Sequence, residues 1–195
     1  MKKESFLKRN YSASWKFLKE SSNYIIFALF IFVLFFIIGF IFPIFFTTQI
    51  ELLLEKLSQS IEGLGLLETI SFIFFNNLRS SAVAMIFGIG LGIFPLLTGA
   101  INGYLLGYVA NVATASKGIL ILWRILPHGI FEIPAIIFSI GLGIKLGFDL
   151  FKKDKMSRLK RNIEEGIRAF IFIVIPLLIL SAVIEGILII ASLPK

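Results

Sequence analysis

The sequence predicts an all-α fold: a polytopic transmembrane helical bundle of about five spans, with additional short amphipathic or re-entrant helices. Three observations carry this. Hydrophobic residues make up 57% of the 195-residue chain and charged residues only 16%, against ~25% charge in a typical soluble domain. Several apolar runs approach or pass the ~20 residues that cross a bilayer. Those runs are continuous rather than alternating, which argues against a β-barrel. By length, residues 1–195 form a single integral membrane domain.

Residues 4–20, ESFLKRNYSASWKFLKE, place Phe6, Tyr11, Trp15 and Leu18 near a helical period with lysines between them, the pattern of a helix lying in the membrane interface. The first span is 24–46, free of charge, with Pro43 near its far end to kink or stop it. The basic segment before it is long, the apolar run exceeds a typical signal core, and no small-residue cleavage site follows, so it reads as an uncleaved span. Residues 47–63 form a second amphipathic helix, with Leu52, Leu53, Leu57 and Ile61 on one face and Glu51, Glu55 and Lys56 around it. Residues 66–78 are too short in apolar content for a span alone. They read as a half-helix, a re-entrant segment or the start of the second span.

The second span is 80–97, carrying Gly88, Gly90 and Gly92. A short turn at 98–102 leads to the third span, 102–116, with Gly103 and Gly107 four residues apart. Small residues at such spacing let helices approach closely in lipid, and the two spans are expected to form a tight hairpin. Residues 117–126 are a third interfacial piece containing Trp123 and Arg124. The fourth span is 128–148, with Pro134, Gly141, Gly143 and Gly147; Lys145 near its end is expected to snorkel to the interface. The fifth is 169–190, holding Pro176 and Glu185.

Charge sets the orientation. Lys2, Lys3, Lys8, Arg9, Lys16 and Lys19 precede the first span, and residues 149–168 carry Lys152, Lys153, Lys155, Arg158, Lys160, Arg161 and Arg168. With five spans both segments lie on one side, and the most basic segments of a membrane protein face the cytoplasm. The chain is therefore expected in the cell membrane as a multi-pass protein, N-terminus cytoplasmic and C-terminus outside. The formal charge of +7 follows from these flanks and points to anionic membrane lipids as partners, not to nucleic acid. The absence of cysteine removes disulfides, thiol nucleophiles and thiolate metal ligands.

Polar groups inside spans are costly and face a partner or a cavity. The candidates are His128, Glu132, Glu185, Asn102, Asn111 and the cluster of Asn76, Asn77 and Arg79. His128, the single histidine, and Glu132 sit at i and i+4 and so share one helical face. Pro127 suits the first turn of a helix, and Pro134 frees the carbonyl of Ile130. Several readings stand together: a structural polar network, a permeation or substrate site, or a metal site with His128 and Glu132 as ligands. One histidine and one carboxylate do not close a zinc site, so a divalent metal such as zinc would need Glu185 or a second copy. The second histidine of a zincin motif is missing, which removes support for hydrolysis. Arg79 either snorkels at the interface or pairs with Glu132 or Glu185. Asn102 reads as a turn or cap, and Asn111 as a helix–helix hydrogen bond.

The stretch FFNNLRSSAVAMIFGIGLGIFPLLTGAINGYLLGYVA at 74–110, followed by LPHGIFEIPAIIFSIGLGIKLG at 126–147, resembles the stage II sporulation protein M family. The likeness rests on Asn-x-x-Arg before a glycine-rich span, Asn-Gly at the next, and Pro-His-Gly-x-x-Glu-x-Pro-Ala, in that order, and extends from about residue 15 to 190. Asn77, Arg79, Asn102, Gly103, His128, Gly129 and Glu132 are the positions that match, and no ligand or catalytic role comes with them. The resemblance implies a membrane protein that works with a cell-wall hydrolase and a second membrane protein during engulfment, holding the machinery while its partner does the catalysis.

Together these readings predict a non-enzymatic scaffold or assembly component, a homo-oligomer or a partner of other membrane proteins, with no cofactor. The alternative is a small oligomeric transporter or channel with a polar site at His128 and Glu132.

Overall fold

A computed structural model describes residues 5–90 and 92–192; the side chains at 123–128, 155 and 192 lie outside the described set. The fold is all-α. Its helices are α1 (Phe6–Glu20), α2 (Ser22–Ile41), α3 (Thr47–Ile61), α4 (Leu66–Ile86), α5 (Ile93–Lys117), α6 (Leu122–Asp149), α7 (Lys155–Ala169) and α8 (Ile175–Ser192). Five stretches are long and apolar enough to cross a membrane: Ser22–Ile41, Leu66–Ile89, Ile93–Lys117, Gly129–Asp149 and Met156–Ala191. The chain is a multi-pass membrane bundle.

The axis of the bundle is α6. Of its most apolar window 61% is buried, against 17% for α2, and it packs against α2, α4, α5 and α8. Small residues make this possible. A Cβ on Gly143 would strike the backbone of Ala84, and one on Gly88 would strike the backbone of Gly143. Gly147 meets Gly92 in the same way. The second tight seam joins α2 to α5, where Gly103 lies on the backbone of Phe32 and Gly107 on that of Phe36. Asn111 Nδ2 completes the seam by donating to the carbonyl of Phe40 at 2.8 Å. This is the helix–helix bond expected of it.

Of the alternatives for residues 66–78, the start of the second span holds: they are the first half of one continuous helix, α4. The hairpin turn differs from the sequence expectation, falling between α4 and α5 at Phe87–Ile89 and Gly92 rather than at 98–102. The glycines taken for packing positions inside a span also break it: Phe87–Ile89 tightens to a 3-10 turn, and Gly92 takes φ of 73° at the N-cap of α5. Pro95 follows in the first turn of α5, where its missing N–H costs nothing. Asn102 and Gly103 are therefore within a helix rather than at a turn. Likewise α6 begins at Leu122 and runs unbroken through Pro127, so only the 3-10 turn Ile119–Ile121 and the first residues of α6 stand where an interfacial helix at 117–126 was expected.

Past α7 the chain continues into α8 through a π-helical segment, Phe170–Val174. Pro176 follows it and cannot donate to the carbonyl four residues back, and an inserted wide turn absorbs that break. At this end of the bundle α1 packs on α7, bringing the two basic segments together. Lys145 does not snorkel. It is 6% exposed, donates to Ser21 Oγ at 2.8 Å and lies 4.0 Å from the centroid of the Phe17 ring. Asp149, buried beside it, accepts from Asn162 Nδ2 and from Lys152 Nζ, the latter at 3.3 Å. Burial of a charge is tolerable only with such partners, and these tie α1, α2, α6 and α7 into one polar junction.

Gly107→Leu should separate α2 from α5 and lower the thermal unfolding temperature in detergent, at a cost of about 1–3 kcal/mol or more. Gly90→Ala meets only the Phe94 ring and a carbonyl at 3.3 Å and should change it little. Equal melting of both variants would contradict this packing.

Candidate intramembrane binding site

Away from the polar junction the two glycine seams diverge. α4 is held to α6 and α5 to α2, while α4 and α5 touch only sparsely. The space left between them is a cavity of about 690 Å³. Its apolar wall comes from Phe32 and Phe36 of α2 and Leu105, Leu106 and Val109 of α5. Its roof is α3, which contributes Leu54, Leu57 and Ile61.

The roof corrects one sequence reading. Leu52 and Leu53, taken as part of the packing face of this helix, are 51% and 42% exposed. The inward stripe is Ile50, Leu54, Leu57 and Ile61 instead, a clean i, i+4, i+7, i+11 pattern. Ile50 packs against Tyr104 and Tyr108 of α5. Tyr104 Oη accepts from the Phe45 N–H at 3.0 Å and lies within hydrogen-bond reach of the Phe42 and Phe45 carbonyls at 3.0 and 2.9 Å. It thereby organises the turn in which Phe46 adopts φ of 58°. At the other end of the roof, Glu68 Oε2 accepts the Gly65 N–H at 2.9 Å, capping α4.

The polar groups of the cavity come from four helices: Asn76 and Asn77 on α4, Asn102 on α5, Glu132 on α6 and Glu185 on α8. Glu132 and Glu185 are close enough to interact electrostatically. Asn102 Nδ2 donates to the Thr98 carbonyl at 2.8 Å, which leaves its side-chain oxygen for the cavity. Asn77 is 9% exposed and, among the described residues, neither it nor Glu132 nor Glu185 has a hydrogen bond or ion pair. No lysine or arginine lies on the described lining.

Of the residues singled out in the sequence, five line this cavity: Asn76, Asn77, Asn102, Glu132 and Glu185. Asn111 does not; it belongs to the α2–α5 seam. Arg79 is exposed and lines no part of the cavity. It shares the outward arc of α4 with Phe75, Val83 and Ile86 and forms no ion pair with Glu132 or Glu185. The side chain of His128 lies outside the described residues, so its pairing with Glu132 and the metal reading go with it. The backbone at 128 is helical, one turn before Glu132. Among the described residues no three His, Cys, Asp or Glu side chains converge as metal ligands. The inward face of α3 was the part the sequence reading missed; the Ile50 to Ile61 periodicity was its signal.

The cavity opens sideways. Leu29 and Val33 of α2 line it while 44% and 43% exposed, and Asn76 on the facing α4 is exposed as well. The mouth lies between α2 and α4, at mid-height of both helices, where a bilayer would meet it.

The profile of the stage II sporulation protein M family matches residues 28–188, a range that takes in every polar residue of the cavity lining. The chain is 31% identical over 148 residues to an uncharacterized protein of Methanocaldococcus jannaschii, a match covering 70% of this chain and 65% of that protein's own length. No solved structure matches the chain.

The chain has no cysteine, so single thiols can map the cavity. A thiol at Asn76→Cys or Asn102→Cys should react with a small maleimide much faster than one at the fully buried Ser81, because only a hydrated thiol ionises to the nucleophile. Equal protection at all three positions would contradict an open, partly hydrated cavity.

Proposed function

The chain belongs to the stage II sporulation protein M family, and we propose that it is a non-enzymatic membrane protein whose cavity takes up an apolar-bodied molecule from the bilayer, for binding or for transport. The single observation that supports this best is a cavity of about 690 Å³ with a lateral mouth, apolar walls and an unpartnered buried Asn77. Ligand sites are mostly apolar concavities with a few convergent polar groups. A purely structural bundle would close such a space, since an unfilled void forfeits packing energy. The absence of a nucleophile–base pair among the described cavity residues favours binding over catalysis.

A scaffold role, which the family resemblance implies, draws on a different observation. Arg79 faces outward from the middle of a span. A guanidinium there costs about 2.5–3.5 kcal/mol on insertion scales, and an acidic group on a second copy or another membrane protein would offset it. The two readings are compatible, with an assembly built on the outward face of α4 and a ligand held behind it. The orientation we propose places α1 and α7 in the cytoplasm and the α3 roof outside, in line with the basic and acidic flanks.

The test of uptake is a neutral environment-sensitive dye titrated into the detergent-purified protein. Saturable binding is expected, and Val33→Trp should abolish most of it by plugging the mouth while leaving the melting curve in place. Unsaturable uptake by the wild type, or unchanged binding in the folded Val33→Trp variant, would remove this reading.

A further inference from the structure

We propose that the occupant of the cavity is a lipophilic cation, and that it enters in exchange for protons held at Glu132 and Glu185. The inference rests on the uptake reading above and names the ligand class for that same site.

Shape comes first. The mouth lies at mid-height of α2 and α4, so a molecule entering from the bilayer arrives through hydrocarbon. A compact, strongly hydrated headgroup would resist that route, whereas a cation whose charge is spread over an apolar body crosses it at lower cost. The rings of Phe32, Phe36 and Phe72 line the interior, and aromatic faces attract cations without requiring hydrogen-bond donors.

Charge comes second. Glu132 shares the cavity lining with Glu185 on α8, Asn76 and Asn77 on α4, and Asn102 on α5. On its own helix His128 lies one turn away, with its side chain outside the described residues. Arg79, one turn beyond the lining residue Asn76 on α4, is exposed and is not itself part of the lining, and Lys145 is committed to Ser21 and Phe17 near the opposite end of α6. Among the described residues the cavity thus holds two carboxyls and three carboxamides with no cationic side chain to balance them. A carboxylate in apolar surroundings needs a counter-cation, whether a proton or a ligand. Two of them close together titrate as a pair and can trade one for the other. The asparagine oxygens supply further partial negative charge. An anionic amphiphile would meet repulsion from both carboxyls, so electrostatics selects cations and rejects their isosteric anions.

The exchange is balanced: one cation binds, carboxyl protons leave to water or to the bilayer interface, and no bond other than O–H changes. Coupling follows by linkage, since anything that protonates the pair weakens the cation and the cation lowers proton occupancy by the same factor.

The experiment uses the full chain in detergent and three probes of one shape: tetraphenylphosphonium, neutral tetraphenylmethane and tetraphenylborate. Binding is read by equilibrium dialysis against empty micelles, and proton release by an indicator dye in weak buffer. The phosphonium should saturate, bind at least about tenfold more tightly than either other probe, and release protons. Glu132→Gln and Glu185→Gln should each weaken it about tenfold and cut the release, whereas Glu132→Asp should retain it. Equal binding of the phosphonium and the neutral probe, phosphonium binding without proton release, or an unaffected double glutamine variant would overturn the cation inference. The uptake reading survives those outcomes if Val33→Trp still blocks the neutral probe. Failure of every probe to saturate would end both.

Discussion

Close backbone contact at glycine is the constraint on which this structure depends. In lipid, helices gain nothing by hiding apolar side chains from water, so association rests on van der Waals contact and a few hydrogen bonds. α6 meets α4 where Gly143 touches Ala84 and Gly88, and meets the hairpin turn where Gly147 touches Gly92. α5 meets α2 where Gly103 and Gly107 lie on the Phe32 and Phe36 backbones. These seams hold two helix pairs at fixed separation. The first clamps α4 and α6 at the end near Asp149, so α4 is free to part from α5 towards the other end, where α3 closes the gap with a stripe of leucine and isoleucine. The cavity is thus a consequence of where the glycines are. It does not depend on any side chain that lines it.

Inside that space the polar groups sit at positions the fold can spare. The carboxyls of Glu132 and Glu185 and the amide of Asn77 gain no bond from the protein among its described residues, although each could have been a leucine without disturbing a glycine seam. Their burial opposes folding, and the rest of the bundle must offset it. Contrast Lys145 and Asp149, which are more deeply buried and are engaged by Ser21, Phe17, Asn162 and Lys152. One polar cluster is spent on joining helices. The other is left open towards a cavity, the arrangement expected where binding takes precedence over stability.

Much of this was legible in the residues themselves. Five apolar stretches, their basic flanks and the amphipathic character of α1 and α3 follow from composition and period. That Glu132 and Glu185 need a partner or a cavity also follows from their place inside spans, whereas Asn102 was read as a turn or cap and not as a neighbour of theirs. The hairpin was misplaced because a Gly-x-Gly-x-Gly run serves equally as a packing surface and as a helix break, and only tertiary contact decides. Here it is both: Gly88 packs while Gly92 turns. The face of α3 was misassigned because Leu52, Leu53 and Leu54 are consecutive, and a triplet of leucines does not show which one points inward. Arg79 went to the outside for a similar reason. It follows Asn76 and Asn77 on the same helix, but its long side chain is exposed on the arc of Phe75, Val83 and Ile86, one turn beyond the lining.

The most direct measurement is an experimental map of the protein extracted into native-lipid particles without detergent. The account predicts density for a non-protein molecule between α2 and α4, passing under α3 and ending at Glu132 and Glu185. A closed, dry interface there, with both carboxyls hydrogen-bonded to protein groups and α3 collapsed onto α4, would contradict it.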